Sequence, residues 1–143
     1  MEERNSCRIH TGRLMEIRVW AGYRVVQDVD HMIAMMDAEF ARVPEPTQVV
    51  IAADWRRCRV LTPDVAERAN AMLTRSNPRV ERSTILHDAD HAIGMLQALR
   101  LAREANFPNR RVFTNSGELR DWLQPILTDQ ELQRLDLLLA ERV

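Results

Sequence analysis

The chain has 143 residues, 45% of them apolar and 29% charged, with a net charge of -1. That length suits one domain with its own core, and the composition is that of a globular chain, not a fibrous or disordered one. Near-neutral charge argues against nucleic acid as a partner, because phosphate binding needs a concentrated excess of basic groups.

All 20 basic residues are arginine, which removes Schiff-base and P-loop lysine chemistry. Cys7 and Cys58 stand outside any CxxC spacing, so free thiols are expected, with neither a disulfide framework nor a zinc site. No apolar run is long enough to span a membrane and no charged-then-apolar leader opens the sequence. A cytoplasmic protein is therefore expected.

In chain order, "CRIHTGRLMEIRVWAGY" predicts two strands around Thr11-Gly12, with Leu14, Glu16, Arg18 and Trp20 alternating against Met15, Ile17 and Val19. Val29, Met32, Ile33, Met36, Phe40 and Val43 form a helical stripe that stops before Pro44 and Pro46. This stripe also explains Met32 and Met36 as core filling, although methionines suit adaptable binding faces too. "TQVVIAAD" is short, apolar and β-branched, which predicts a central strand buried on both faces.

Thr62 before Pro63 reads as an N-cap with proline at the first helical position. Val65, Ala69, Met72 and Leu73 follow as the buried stripe, and Ser76-Asn77-Pro78 ends that helix. "RSTILHD" is a further strand. Ala92, Met95, Leu96, Leu99 and Ala102 are the expected inner face of a third helix that closes at Asn106-Phe107-Pro108. "RRVFTN" is the last strand, followed by a helix over "SGELRDWLQPIL".

The final stretch, residues 128-143, carries a capping box, Thr128 with Glu131, and a Leu132, Leu135, Leu138, Leu139 face. That face is expected to pack on its own domain or on a second copy, so a homodimer is a possible state. The order β-β-α-β-α-β-α-β-α-α predicts a single α/β domain with a mixed, mostly parallel sheet of four or five strands and flanking helices.

This order, together with "VVIAAD" running into a loop and capped helix, "RSTILHDADHAIGMLQALRLAREA" and "RRVFTNSGELRDWL", resembles the STAS and SpoIIAA-like group. The resemblance spans about Cys7 to Leu127. In its last segment Val112, Phe113, Glu118, Leu119, Trp122 and Leu123 stand where that group has its closing strand and helix. The resemblance implies a non-enzymatic bacterial regulatory module that binds another protein through the loop and helix after the central strand. Phosphorylatable members carry a Ser-bearing sequence at the start of that helix. Here Thr62 is the only hydroxyl, and a capping role explains it.

The stretch "DWRRCRVLTPDVAER" holds the candidate partner- or anion-binding residues: Asp54, Trp55, Arg56, Arg57, Arg59 and Thr62. Guanidinium forks suit carboxylate and phosphate, and Arg75, Arg79 and Arg82 could extend the same surface; ordinary solvated charge is the alternative. Asp54 ends a central strand, where open α/β sheets place ligand sites, and Trp55 is either a binding platform beside it or a core residue.

"HDADH", His87 to His91, has two-histidine metal spacing. Because His87 ends a strand, capping of the next helix by Asp88 or Asp90 is the expected role, with no metal or cofactor. No triad order or glycine-rich phosphate loop is present, so catalysis has no positive sign. The alternative to a protein partner is a small lipid or anionic metabolite held by the same fold.

Overall fold

The computed structural model describes residues 4–141. Arg142 and Val143 of the last predicted helix lie outside the described residues. The elements are β1 (Asn5–Ile9), β2 (Leu14–Val19), α1 (Val26–Phe40), β3 (Val49–Asp54), α2 (Pro63–Ser76), β4 (Val80–Leu86), α3 (Ala92–Glu104), β5 (Arg110–Phe113), α4 (Ser116–Leu123) and α5 (Asp129–Ala140). This is the expected order, with a one-turn 3-10 helix added after α2 and after α4.

The five strands lie in sequence order, β1-β2-β3-β4-β5. β1 is antiparallel to β2, across a turn in which Gly12 takes φ +59°, and the other pairings are parallel. β3 is the middle strand and all six of its residues are buried. Its alternation divides the core. Ile51 and Ala53 meet Met15, Ile17, Ile85 and the inner faces of α1, α2 and α3, while Val50 and Ala52 meet Leu14, Leu86 and the leucines of α4 and α5. The three crossover helices thus cover one face of the sheet and the last two helices cover the other.

On α5, Leu135 and Leu138 are buried in this second layer, with Leu132 and Leu139 packed beside them. The leucine face therefore packs on its own sheet, the first of the two placements expected for it. The Thr128 and Glu131 capping box closes the helix start. Glu131 also accepts the Arg13 backbone N–H at 2.8 Å, which ties α5 to the β1–β2 turn.

α3 departs from expectation. Its inner face is Gly94, Ala98 and Leu101, whereas the predicted Leu96 and Leu99 are 61% and 43% exposed. The cause is close approach: a Cβ on Gly94 would stand only 3.2 Å from the His87 ring. Small residues let the helix settle there, and the larger apolar ones are turned outward.

Buried Arg110, at the start of β5, donates to the Leu73 carbonyl and so closes the end of α2 with a cation. Burial pushes its pKa down to about 10.

Candidate functional site

The parallel strands all point their carboxyl ends to one rim, where the turn after β2, the loop after β3 and the loop after β4 meet. Asp54, the last residue of β3, is buried there. Its carboxylate accepts the Arg56 backbone N–H at 3.0 Å and, through both oxygens, the Arg56 guanidinium at 2.9 and 2.9 Å. Trp20 adds its indole N–H at 3.4 Å, and a second reach of Arg56 meets the Glu141 carbonyl at 3.0 Å.

A carboxylate gripped in this way is committed to shaping the loop. The same bonding raises the Arg56 pKa above its usual value, with burial opposing it. Asp54 and Arg56 are therefore supports of the site and not its free contact groups.

Trp55 is 3% exposed and meets Tyr23 edge-on, at 5.6 Å between ring centroids. It is a core residue, so the platform role expected as an alternative falls away. The aromatic at the rim is Trp20, half-buried, with the Arg57 guanidinium 4.5 Å from its ring centroid. Cys58 and Leu61 are buried as well, so the loop is pinned at Trp55, Cys58 and Leu61 while Arg59 and Val60 between them stay exposed.

Gln97 of α3 makes that pinning rigid. Its side chain accepts the Leu61 N–H at 2.7 Å and donates to the Leu61 carbonyl at 2.9 Å. Sequence reasoning missed Gln97, since its partner lies 36 residues away and no local pattern marks it.

Thr62 holds the N-cap position of α2, yet its side chain makes no cap hydrogen bond. The hydroxyl donates instead to the exposed Asp64 carboxylate at 2.6 Å. With that bond as the leading cause, the Asp64 pKa is lowered. The expected cap is thus corrected: Asp64, in the first turn, supplies the negative charge that the helix start favours.

The wider arginine surface divides. Arg75 pairs with Asp37, Arg79 reaches the Val43 carbonyl, and Arg82 reaches the Trp122 carbonyl. None of these three lines the rim. The residues that do are Arg24, Arg56, Arg57 and Arg59, with Trp20 and His91, around a cleft of about 490 Å³. Arg24 was not anticipated, because it lies far from the other arginines in sequence.

His87 is buried, and its Nδ1 accepts the Asp88 N–H at 2.8 Å. Burial lowers its pKa. His91 sits exposed at the start of α3 in the N-cap position, without a side-chain cap. Neither Asp88 nor Asp90 caps α3: Asp88 accepts the Asp90 N–H at 2.9 Å within the loop. Among the described residues no group of three or more His, Cys, Asp or Glu is placed to hold a metal ion.

Burial pushes the Cys58 thiol up to about 11 and the Cys7 thiol up to about 12, so both stay protonated near neutral pH. Among the described residues no helix is long and apolar enough to cross a membrane.

The fold and rim together define an α/β domain with a five-stranded mixed sheet and a basic cleft at the carboxyl ends of its strands. No protein-family model, curated protein or solved structure matches the chain.

Proposed function

We propose that the chain is a non-enzymatic bacterial regulatory module of STAS or SpoIIAA-like type, acting in the cytoplasm by binding another protein through the loop after β3 and the adjoining outer face of α3. The order of elements supports the fold reading.

One observation carries the function. Val60, Ile93, Leu96 and Leu99 are 56%, 66%, 61% and 43% exposed, and Val60 shares one concavity with Ile93. On α3 these residues recur every third position, on the side turned away from Gly94, Ala98 and Leu101. Apolar residues gathered at one place on a surface, with polar groups around them, are what protein interfaces bury. α2 offers no such face: its apolar stripe is in the core, and Arg68 and Arg75 on its outside pair with Asp30 and Asp37 of α1.

The edge of the patch fixes the chemistry of the occupant. Arg59 adjoins Val60, and Arg103 lies on the same side of α3 as Leu96, whereas Arg100 there is already paired with Glu104 at 2.8 Å. A second copy would bring the same guanidinium groups against them. The favoured occupant is an acidic, amphipathic segment of a different protein, steered by charge and held by the apolar centre.

A photo-crosslinking residue placed at Leu96 or at Val60 tests this in native cells, with the same residue at exposed Leu137 of α5 as control. The expected result is one protein joined from both test positions through an acidic segment, absent from the control and lost on Arg59→Glu. No adduct at either position, the same adduct from Leu137, or a chain joined to its own copy would overturn the reading.

A further inference from the structure

The rim cleft is a separate feature from the bare face of α3. Its walls come from the turn after β2 and the loop after β3, and it meets the α3 surface only at Arg59, Val60 and His91. Two of its arginines are fixtures, Arg56 on Asp54 and Arg57 against the Trp20 ring. Arg24 and Arg59 are different. Both are exposed, they come from different loops, and neither side chain has an ion pair or hydrogen bond among the described residues.

Among the described residues the cleft lining holds one carboxylate, Asp88, and since Arg56 is already matched by Asp54, that carboxylate faces Arg24 and Arg59. Asp88 already accepts the Asp90 N–H and lies 3.7 Å from His91. α3 begins at His91 with no side-chain cap and no acidic residue in its first turn, which adds the positive end of a helix dipole.

An excess of positive charge in a concavity of about 490 Å³ calls for an anion larger than a simple ion, since clefts of this size hold small organic ligands. Guanidinium forks match phosphate oxygens two at a time, and a dianion uses two arginines better than a carboxylate does. We propose that the cleft binds a phosphate monoester, with the phosphate group between Arg24 and Arg59 and the organic part along Trp20 and Val60. The site does not depend on a protein docking on α3. The same chemistry is offered by a phosphorylated metabolite and by a phosphorylated side chain of a partner.

Calorimetric titration at fixed ionic strength tests the site with inorganic phosphate, phenyl phosphate, a phosphoserine peptide and, as the singly charged control, benzoate. Wild type is compared with the Arg24→Gln, Arg59→Gln double variant and with Arg100→Gln, whose arginine pairs with Glu104 away from the cleft. Phenyl phosphate should bind wild type and Arg100→Gln alike, with loss of about tenfold or more in the double variant and weaker binding of benzoate. Arg59→Lys, which keeps the charge and loses the fork, should fall between.

Tighter binding of the peptide than of phenyl phosphate would name a partner's side chain as the source, and the reverse order a free metabolite; either supports the site. No phosphate binding at millimolar concentration, or equal binding by the double variant, would overturn it. Loss of this site with the α3 crosslink intact would leave the partner reading standing, so the two fail separately.

Discussion

Beneath α5 the arginines are matched with carboxylates. Arg134 holds fully buried Glu16 through both oxygens at 2.9 and 3.0 Å, Arg18 holds Glu141 at 2.8 and 2.8 Å, and Arg56 holds Asp54. At the rim, three residues along the chain from Arg56, Arg59 has no ion pair among the described residues, and neither has Arg24 across the cleft. The contrast separates two uses of one side chain. Where a carboxylate has been taken out of water it must be paired, so arginine there is part of the fold; exposed arginine with no carboxylate is free to meet something else.

The most damaging way to break this comparison is to remove Glu16. Glu16→Ala strips Arg18 and Arg134 of a shared partner inside the contact between β2 and α5. Deleting one member of a buried pair costs about 3–5 kcal/mol, so a large fall in the denaturant midpoint is expected, with α5 loosened first in hydrogen exchange. An unchanged midpoint would mean that the ion network contributes nothing to seating the helix.

Gln97→Ala probes the frame of the rim. Two hydrogen bonds to Leu61 are lost, at about 1 kcal/mol each, and the Leu61 amide should exchange much faster than in wild type. If it stays as protected as before, the loop is held by its buried side chains alone.

A smaller effect depends on pH. Burial lowers the His87 pKa from its ordinary 6.5, so the unfolded chain takes up a proton more readily than the folded one. Its contribution to stability is complete above about pH 6.5 and is lost as pH falls from there toward the folded value. His87→Asn should flatten the melting-temperature profile over that interval; a profile identical to wild type would show that the folded protein titrates His87 normally.

The smallest expected effect is at Thr62. Its hydroxyl caps no backbone group, so Thr62→Ala should leave the thermal melting curve where it is. A clear destabilisation would restore the capping role expected from the sequence.

Periodicity made most of the fold legible. Alternation in β2, the apolar run of β3 and the stripes of α1 and α2 each follow from one dominant spacing and appear where they were expected. α3 was misread because its buried side is built from Gly94, Ala98 and Leu101. An apolar residue buried for its smallness looks weaker in a sequence than an exposed leucine. The role of Trp55, open between platform and core in the sequence, could not be read there for a related reason: adjacency to Asp54 says nothing about which way a ring turns, and packing against Tyr23 decided it.

The loop arginines were legible as a group, but not the division among them. That division depends on Asp54 being buried next to Arg56 and on Glu141 arriving from the other end of the chain. Arg24 and Gln97 became part of the site only through the sheet, which brings the turn after β2 and the flank of α3 to the loop after β3.

The separation of folding arginines from binding arginines is tested most directly by comparing denaturant midpoints of Arg56→Ser and of the Arg24→Ser, Arg59→Ser double variant. Arg56→Ser leaves the buried Asp54 carboxylate without its guanidinium and should lose about 3 kcal/mol, the lower end for a broken buried pair. The double variant should stay within about 0.5 kcal/mol of wild type, as exposed substitutions do. A double variant that unfolds as readily as Arg56→Ser, or an Arg56→Ser protein as stable as wild type, would contradict that separation.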